Sequence, residues 1–478
     1  MTKSSGIPIP SREEFDGVIK LLSNEAASYI RSLDERPVRS QGVHKLLAHF
    51  DAPLPSVGSG AIQALEELIR KGVDGAITSA GPRCFHFITG GTTPAALGAD
   101  WLTTTLDQMA YAWVASPIAA KLELVSLAWL KDLFDLPSDW GGIMTTGATM
   151  ANFVCLAAAR QWWGQKFGID IAEQGFAGLP EIPVLSSGYI HASTVKALGM
   201  LGMGRSSLRK FIQDSTGSLD RQAMERALKD LEGSPSIIVA TAGEPNAGAF
   251  DPIEELVKLA EQYNAWLHVD GAFGLFARLS SQSGNLTEGV DRAHSVTVDG
   301  HKWLNVPYDC GFAFVNNASL LVRVFTHSAE YLPDPTDLEP VMGALGPEMS
   351  RRARSLTVWA SLRAYGQRGI TEMIERHMGL AKCLAQLVDD APDLERLADV
   401  PLNVVCFRYN PGELIEQRLN EINQAIGEAI IEDGRVYIGT TTYQNKVALR
   451  PAIVNWRTRE EDIELIVDIV QELGERIA

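Results

Sequence analysis

Within the 478 residues, the stretch from Trp266 to Val315 holds the side chains whose types and spacing could best do chemistry. Ala265 to Val269 and Ser295 to Val298 are short apolar runs rich in β-branched residues, and each is followed at once by an acid, Asp270 and Asp299. Such runs read as buried strands of a parallel sheet that stop at a site. His301-Lys302-Trp303 then presents an amine between two aromatic rings, and Gly271, Ala272 and Gly300 are small enough for backbone or a flat ring to approach. A lysine that attacks a carbonyl must lose its proton, and an acid at a neighbouring strand end can keep a pyridine nitrogen protonated. Singly, Asp270 and Lys302 read as a turn acid and a solvated amine. Together, in this order, they suit Schiff-base chemistry.

The elements that must position these residues begin near Gly142. Strand-like runs at Glu181 to Ser187, Ser236 to Ala240, Ala265 to Val269 and Ser295 to Val298 alternate with helical runs such as Pro252 to Tyr263. This alternation predicts an α/β fold: a mostly parallel central sheet with helices on both faces and ligands gathered at the strands' carboxyl ends. A long helix is expected over Pro117 to Leu133. After it, Thr145-Thr-Gly-Ala-Thr-Met-Ala-Asn opens an apolar helix, and a phosphate seated there would meet free N–H groups, the positive dipole end and the Thr149 hydroxyl. Gly-Lys-Ser/Thr is absent, so this is no nucleotide P-loop.

VDGHKW with NVPYDCG behind it, HVDGAFG before it and IMTTGATMAN upstream resemble the pyridoxal 5′-phosphate (PLP) dependent group II amino-acid decarboxylases, which include aromatic-L-amino-acid and glutamate decarboxylases. The resemblance runs from about Phe85 to the C-terminus. It implies the aspartate-aminotransferase-like fold (fold type I) with a small C-terminal α+β domain, PLP as cofactor and decarboxylation of an L-amino acid to its amine. By the same resemblance Lys302 is the Schiff-base lysine and Asp270 the partner of the ring nitrogen. Ala148 and Thr149 match the phosphate cup and His191 the ring-stacking histidine, while Ala272, Asp299 and His301 complete the cofactor contacts. Tyr331 stands as the proton-donating tyrosine of a mobile loop. Phe87, Ile88, Met109 and Tyr111 fall where relatives wall the substrate side chain. Glutamate decarboxylases carry a polar amide where this chain has Phe87, and a ring cannot compensate a buried second carboxylate, so an aromatic or apolar substrate is expected. Pro245 departs from the pattern by replacing a hydroxyl that approaches the cofactor, with Asn246 beside it.

Three parts are expected: a helical segment over residues 1–80, a large cofactor domain over 81–370 with a catalytic loop at 326–347, and a small domain over 371–478. In the first, Ser11 starts a capped helix and Ala61 to Ile69 repeats the amphipathic pattern. In relatives this segment covers a partner subunit, which implies a homodimer with shared active sites; by pattern alone it would equally be core. Strands in the last part are expected at Asn403 to Tyr409, Arg435 to Ile438 and Lys446 to Arg450. A net charge of −17 argues against nucleic acid or an anionic membrane as partner. The five cysteines have no metal or redox spacing, no metal site is expected, and the absence of a leader or apolar span points to the cytoplasm. An aldehyde synthase would share every cofactor residue. An aminotransferase or a cofactor-free binding paralogue are the remaining alternatives.

Overall fold

The computed structural model describes residues 8, 10–326 and 339–478. Its central sheet has seven strands: β1 (Gly141–Thr145), β2 (Val184–Ser186), β3 (Leu208–Lys210), β4 (Ser236–Thr241), β5 (Ala265–Asp270), β6 (Ser295–Asp299) and β7 (Gly311–Val315). Their spatial order is β1-β7-β6-β5-β4-β2-β3. Strands β4 to β7 are buried along their whole length, which is why they read as unbroken apolar runs without alternation. Neighbours from β3 to β6 pair in parallel, whereas β7 runs against both β6 and β1. The direction of β7 has a simple cause. The link from Asp299 to Gly311 carries no helix, and a parallel return needs a crossover of about a dozen residues or more, usually helical.

The helix Ala148–Gln165 lies against β5, β6 and β7. A long helix, Arg354–Asp390, packs on the helices Pro94–Leu106 and Pro117–Leu133 and breaks at Gly366, whose φ of 61° and ψ of 179° only glycine adopts readily. Beyond it stands an antiparallel sheet of β8 (Leu394–Arg396), β9 (Phe407–Tyr409), β10 (Thr440–Tyr443) and β11 (Lys446–Leu449), in the order β10-β11-β9-β8. The helices Glu416–Asp433 and Glu460–Ile477 close its apolar core.

Three local expectations differ from what forms. The first helix spans Glu14–Ser32 and not from Ser11: the Ser11 N–H donates to Glu14 Oε2 at 3.1 Å, one half of the expected cap, but no side chain caps the helix start in return. β2 is shorter than expected, since Pro183 just before it has no N–H to give a ladder. Arg435 to Ile438 form no strand of the small sheet. Instead Tyr437 exchanges backbone bonds with Arg83 and Phe85, at 3.1 and 2.9 Å, and stitches the small sheet's side to the segment before Phe87. No residue of the helices Glu14–Ser32 and Ala61–Gly72 is fully buried in the single chain, although the two pack on each other. Among the described residues, no helix is long and apolar enough to cross a membrane.

Candidate active site

Parallel strands end together, so the turns after β4, β5 and β6 meet the start of the Ala148–Gln165 helix around a cavity of about 350 Å³. On one wall, Lys302 Nζ stands 3.5 Å from Asp299 Oδ2 and 5.8 Å from the centre of the Phe273 ring. Asp299 Oδ1 accepts the Ala148 N–H at 2.9 Å and faces His301 Nε2 at 3.3 Å. Burial alone would raise the Asp299 carboxyl, but Lys302, His301 and the Ala148 N–H outweigh it and hold the group below the usual carboxylate range. His301 Nδ1 accepts the Cys310 N–H at 3.2 Å, so the ring proton sits on Nε2 and points to Asp299; the ring stacks on Tyr308 with centres 4.3 Å apart. Gly147 must stay glycine here. Its φ is 144°, and a Cβ would come within 2.8 Å of the His301 ring.

Asp270 forms the opposite wall. Its Oδ2 accepts from Asn152 Nδ2 and Thr194 Oγ1, each at 2.9 Å, whereas Oδ1 has only the Ala272 N–H at 3.3 Å. His191 precedes the helix Ala192–Met200 and caps it, Nδ1 accepting the Ser193 N–H at 3.2 Å. Burial lowers the His191 pKa, only partly offset by Asp270, so the imidazole is neutral near pH 7. At the helix start, the Ala148 N–H is taken by Asp299, and the Met150 and Ala151 N–H groups turn back to Gly147 O. The Ser193 hydroxyl is engaged by His191 Nδ1 at 2.6 Å, so the Thr149 side chain and the positive end of the helix remain for an anion.

Ala148, Thr149, His191, Asp270, Ala272, Asp299, His301 and Lys302 all line this cavity, together with Phe87 and Ile88. Phe87 and Ile88 carry left-handed φ values of 58° and 55°, a conformation that costs roughly 1–3 kcal/mol each and is especially unfavourable for a β-branched residue. Met109 and Tyr111 are not brought to the cavity in the single chain. Met109 pairs its backbone with Arg352, and the Tyr111 ring packs so closely under Gly343 that a Cβ there would lie 2.2 Å from it. Tyr331 lies outside the described residues. Asn246 does not stand in for the hydroxyl lost at Pro245, because its Oδ1 accepts from Thr441 Oγ1 at 2.6 Å.

Residues 46–410 match the pyridoxal-dependent decarboxylase conserved domain. The chain belongs to that family. It is 31% identical over 404 residues to an aromatic-L-amino-acid decarboxylase of Bacillus atrophaeus, covering 83% of this chain and 82% of that one. A phenylacetaldehyde synthase of Arabidopsis thaliana is 27% identical over 470 residues, 95% of this chain and 94% of that one. In fold the decarboxylase resembles the Oryza sativa TDC solved with PLP and tryptamine, with a TM-score of 0.90 at 23% identity over 98% of this chain and 99% of that one. The decarboxylase therefore takes PLP as its cofactor, has the type I fold of these enzymes and acts on an amino acid. The cavity fits that cofactor. It carries an amine, a carboxylate backed by two donors and a helix N-terminus, matching an aldehyde, a ring nitrogen and a phosphate. It also holds two buried polar atoms without a partner among the described residues, Thr241 Oγ1 and Arg450 Nη1, which a polar ligand would satisfy. The sequence pattern assigns no role to either, nor to Asn152 and Thr194. A threonine at a strand end and an arginine after a strand carry no spacing signal of their own.

The turn that bears Lys302 is anchored from behind. Trp303 Nε1 donates to His377 Nδ1 at 2.9 Å, and His377 Nε2 donates to Asn455 O at 3.0 Å. Asn305 Nδ2 donates to Trp303 O and Val454 O, at 2.9 and 3.0 Å. Burial pushes the pKa of His86, His268 and His294 down to about 4 and that of His377 down to about 3. The unfolded chain, with histidines near 6.5, then binds more protons than the folded one below that pH. Stability should be complete above about pH 6.5 and fall as pH drops from there toward 4, each histidine contributing up to about 1.4 kcal/mol per pH unit. Urea midpoints measured from pH 8 to pH 5 should show this slope, and His377→Gln should lessen it; an unchanged slope in His377→Gln would show that His377 does not titrate in this way.

Proposed function

We propose that this decarboxylase converts L-amino acids with aromatic side chains to the corresponding amines and carbon dioxide. The observation that carries the substrate class is the apolar wall of Phe87 and Ile88 at the cavity, where, among the described residues, no side-chain amide is available to a second carboxylate. The names of the relatives point the same way. When bound, PLP supplies an electron sink for the pair of electrons left as carbon dioxide departs. Lys302 Nζ would hold the cofactor through its aldehyde. The Asp270 carboxylate, fixed by Asn152 and Thr194, would keep the ring nitrogen protonated. The neutral His191 would contact the pyridine ring, and the Thr149 hydroxyl and the helix start would hold the phosphate. Arg450 Nη1 offers an unshared donor to an anionic oxygen of substrate or cofactor. Incubating the purified protein with the twenty amino acids plus DOPA, and identifying amines, aldehydes and carbon dioxide, tests this reading. Release of an amine from glutamate but from no aromatic amino acid would overturn it.

The working unit is read as a homodimer in which residues 1–80 cover the partner, beside a cofactor domain over 81–370 and a small domain over 371–478. Supporting this, Phe15, Ile19, Leu54, Val57 and Met109 are exposed in the single chain, and so is Phe87 at the cavity. Sedimentation should give about twice the chain's 52.0 kDa, and a monomer at micromolar concentration would count against shared active sites. The buried free thiols suit a reducing, cytoplasmic setting.

Tyr331 is assigned the proton delivered to the substrate carbon after carbon dioxide leaves. A phenol on a closing segment can supply it while excluding water and oxygen. Tyr331→Phe should bind cofactor and substrate normally, slow amine release by about a hundredfold, and divert part of the substrate to aldehyde with oxygen uptake. Amine formation at the wild-type rate without aldehyde would move the role to His191. Aldehyde as the main product of the unaltered chain would make it an aldehyde synthase.

A further inference from the structure

Behind Asp270, away from the cavity, a chain of buried hydrogen bonds runs along one face of β5 under the Ala148–Gln165 helix, branching at Asn152, whose Nδ2 also donates to Thr194 Oγ1 at 3.1 Å. Trp266 Nε1 donates to Ser295 Oγ at 3.0 Å, and Ser295 Oγ lies 2.9 Å from His268 Nδ1. His268 Nε2 lies 2.8 Å from Asn152 Oδ1, and Asn152 Nδ2 donates to Asp270 Oδ2 at 2.9 Å. His268, Asn152 and Ser295 are wholly buried, so no water can exchange for any member of the file. Its direction follows from the carboxylate end. Asp270 Oδ2 can only accept, so Asn152 turns Nδ2 toward it and Oδ1 toward His268. His268 Nε2 then carries the ring proton and donates to Asn152 Oδ1, Nδ1 accepts from the Ser295 hydroxyl, and Ser295 accepts from the Trp266 indole, which can only donate. Burial keeps His268 neutral, with its pKa lowered to about 4, so this tautomer is the working one.

We infer that His268 is a positioning residue for Asp270: by claiming Asn152 Oδ1 it fixes the Asn152 amide with its N–H groups toward Asp270 Oδ2, which leaves Oδ1 as the carboxylate's less engaged acceptor. The inference rests on the proposed role of Asp270 and adds what sets its orientation. Without the histidine donor, the Asn152 amide can turn over and present oxygen to the carboxylate. Two acceptors would then face each other in a dry site, an arrangement relieved when Asp270 itself takes up a proton. A protonated Asp270 cannot stabilise a ring N–H⁺.

The test uses the holoenzyme reconstituted with PLP carrying ¹⁵N at the ring nitrogen. In His268→Leu the ring resonance should move toward that of unprotonated pyridine and kcat should fall about tenfold with KM little changed, whereas His268→Gln, which can both accept from Ser295 and donate to Asn152, should restore both. The loss in His268→Leu should also vanish in an Asn152→Leu background, because the histidine acts through that amide. An unmoved ¹⁵N resonance in folded His268→Leu, or an equal loss in both backgrounds, overturns the inference. If His268→Leu does not fold, Ser295→Ala decides: it frees the imidazole tautomer with little change in volume and should shift the same resonance part-way, and no shift overturns the inference. Asp270→Asn separates the two levels of the argument. A resonance unmoved there removes the role proposed for Asp270, while movement there without movement in the His268 and Ser295 variants removes the positioning role alone.

Discussion

Lys302→Ala should lose turnover by at least about a thousandfold while keeping the fold and much of its affinity for PLP. Among the described residues the Nζ is the only lysine amine at the cavity, and Asp299 at 3.5 Å together with the Phe273 ring sets its approach. Asp299 is also bonded to Ala148 and His301, so its position does not depend on the lysine. Borohydride treatment of the unaltered holoenzyme should bleach its yellow colour and leave a phosphopyridoxyl group on the peptide that contains Lys302. Finding the group on another lysine would sink the assignment. Turnover in Lys302→Ala within tenfold of the unaltered enzyme would do the same.

Asp270→Asn should cost about a hundredfold in kcat, roughly 2.7 kcal/mol of transition-state stabilisation, with a much smaller change in cofactor affinity. Two effects act together. The charge that stabilises a ring N–H⁺ is lost, and the two donors Asn152 and Thr194 at 2.9 Å claim the amide's oxygen. Its NH₂ group is then left as a second donor where the ring nitrogen needs an acceptor. Near-normal kcat in Asp270→Asn would show that the carboxylate serves only the local structure.

How much of this could be read in the residues varied with how locally each feature is encoded. Lys302 and Asp270 were legible because each follows a buried apolar run and the site lies where such runs stop. The parallel core was legible for the same reason. The reversal of β7 was not, because a short strand buried on both faces carries the same residues in either direction; only the helix-free link before it decides. Arg435 to Ile438 look like a strand and are spent on the contact with Arg83 and Phe85 instead. Met109 and Tyr111 sit beside Phe87 in the family pattern, yet in one chain their contacts are with Arg352 and Gly343. The file from Trp266 to Asp270 draws on β5, β6 and the Ala148–Gln165 helix. Three separate elements leave no spacing to notice.

The wall of Phe87 and Ile88 belongs to a loop ahead of the first strand, while the groups that face the cofactor stand on strand ends and helix starts. On the proposed reading, the chain that selects and the chain that reacts are separate stretches of the sequence. A substitution at Phe87 changes a half-open ring stacked on His86 and touches none of the bonds around Asp270, Asp299 or Lys302. For laboratory evolution, a library confined to Phe87, whose ring is exposed in the single chain, should yield altered preference at little cost in folded protein, whereas its neighbours Phe85 and Ile88 are buried in the core.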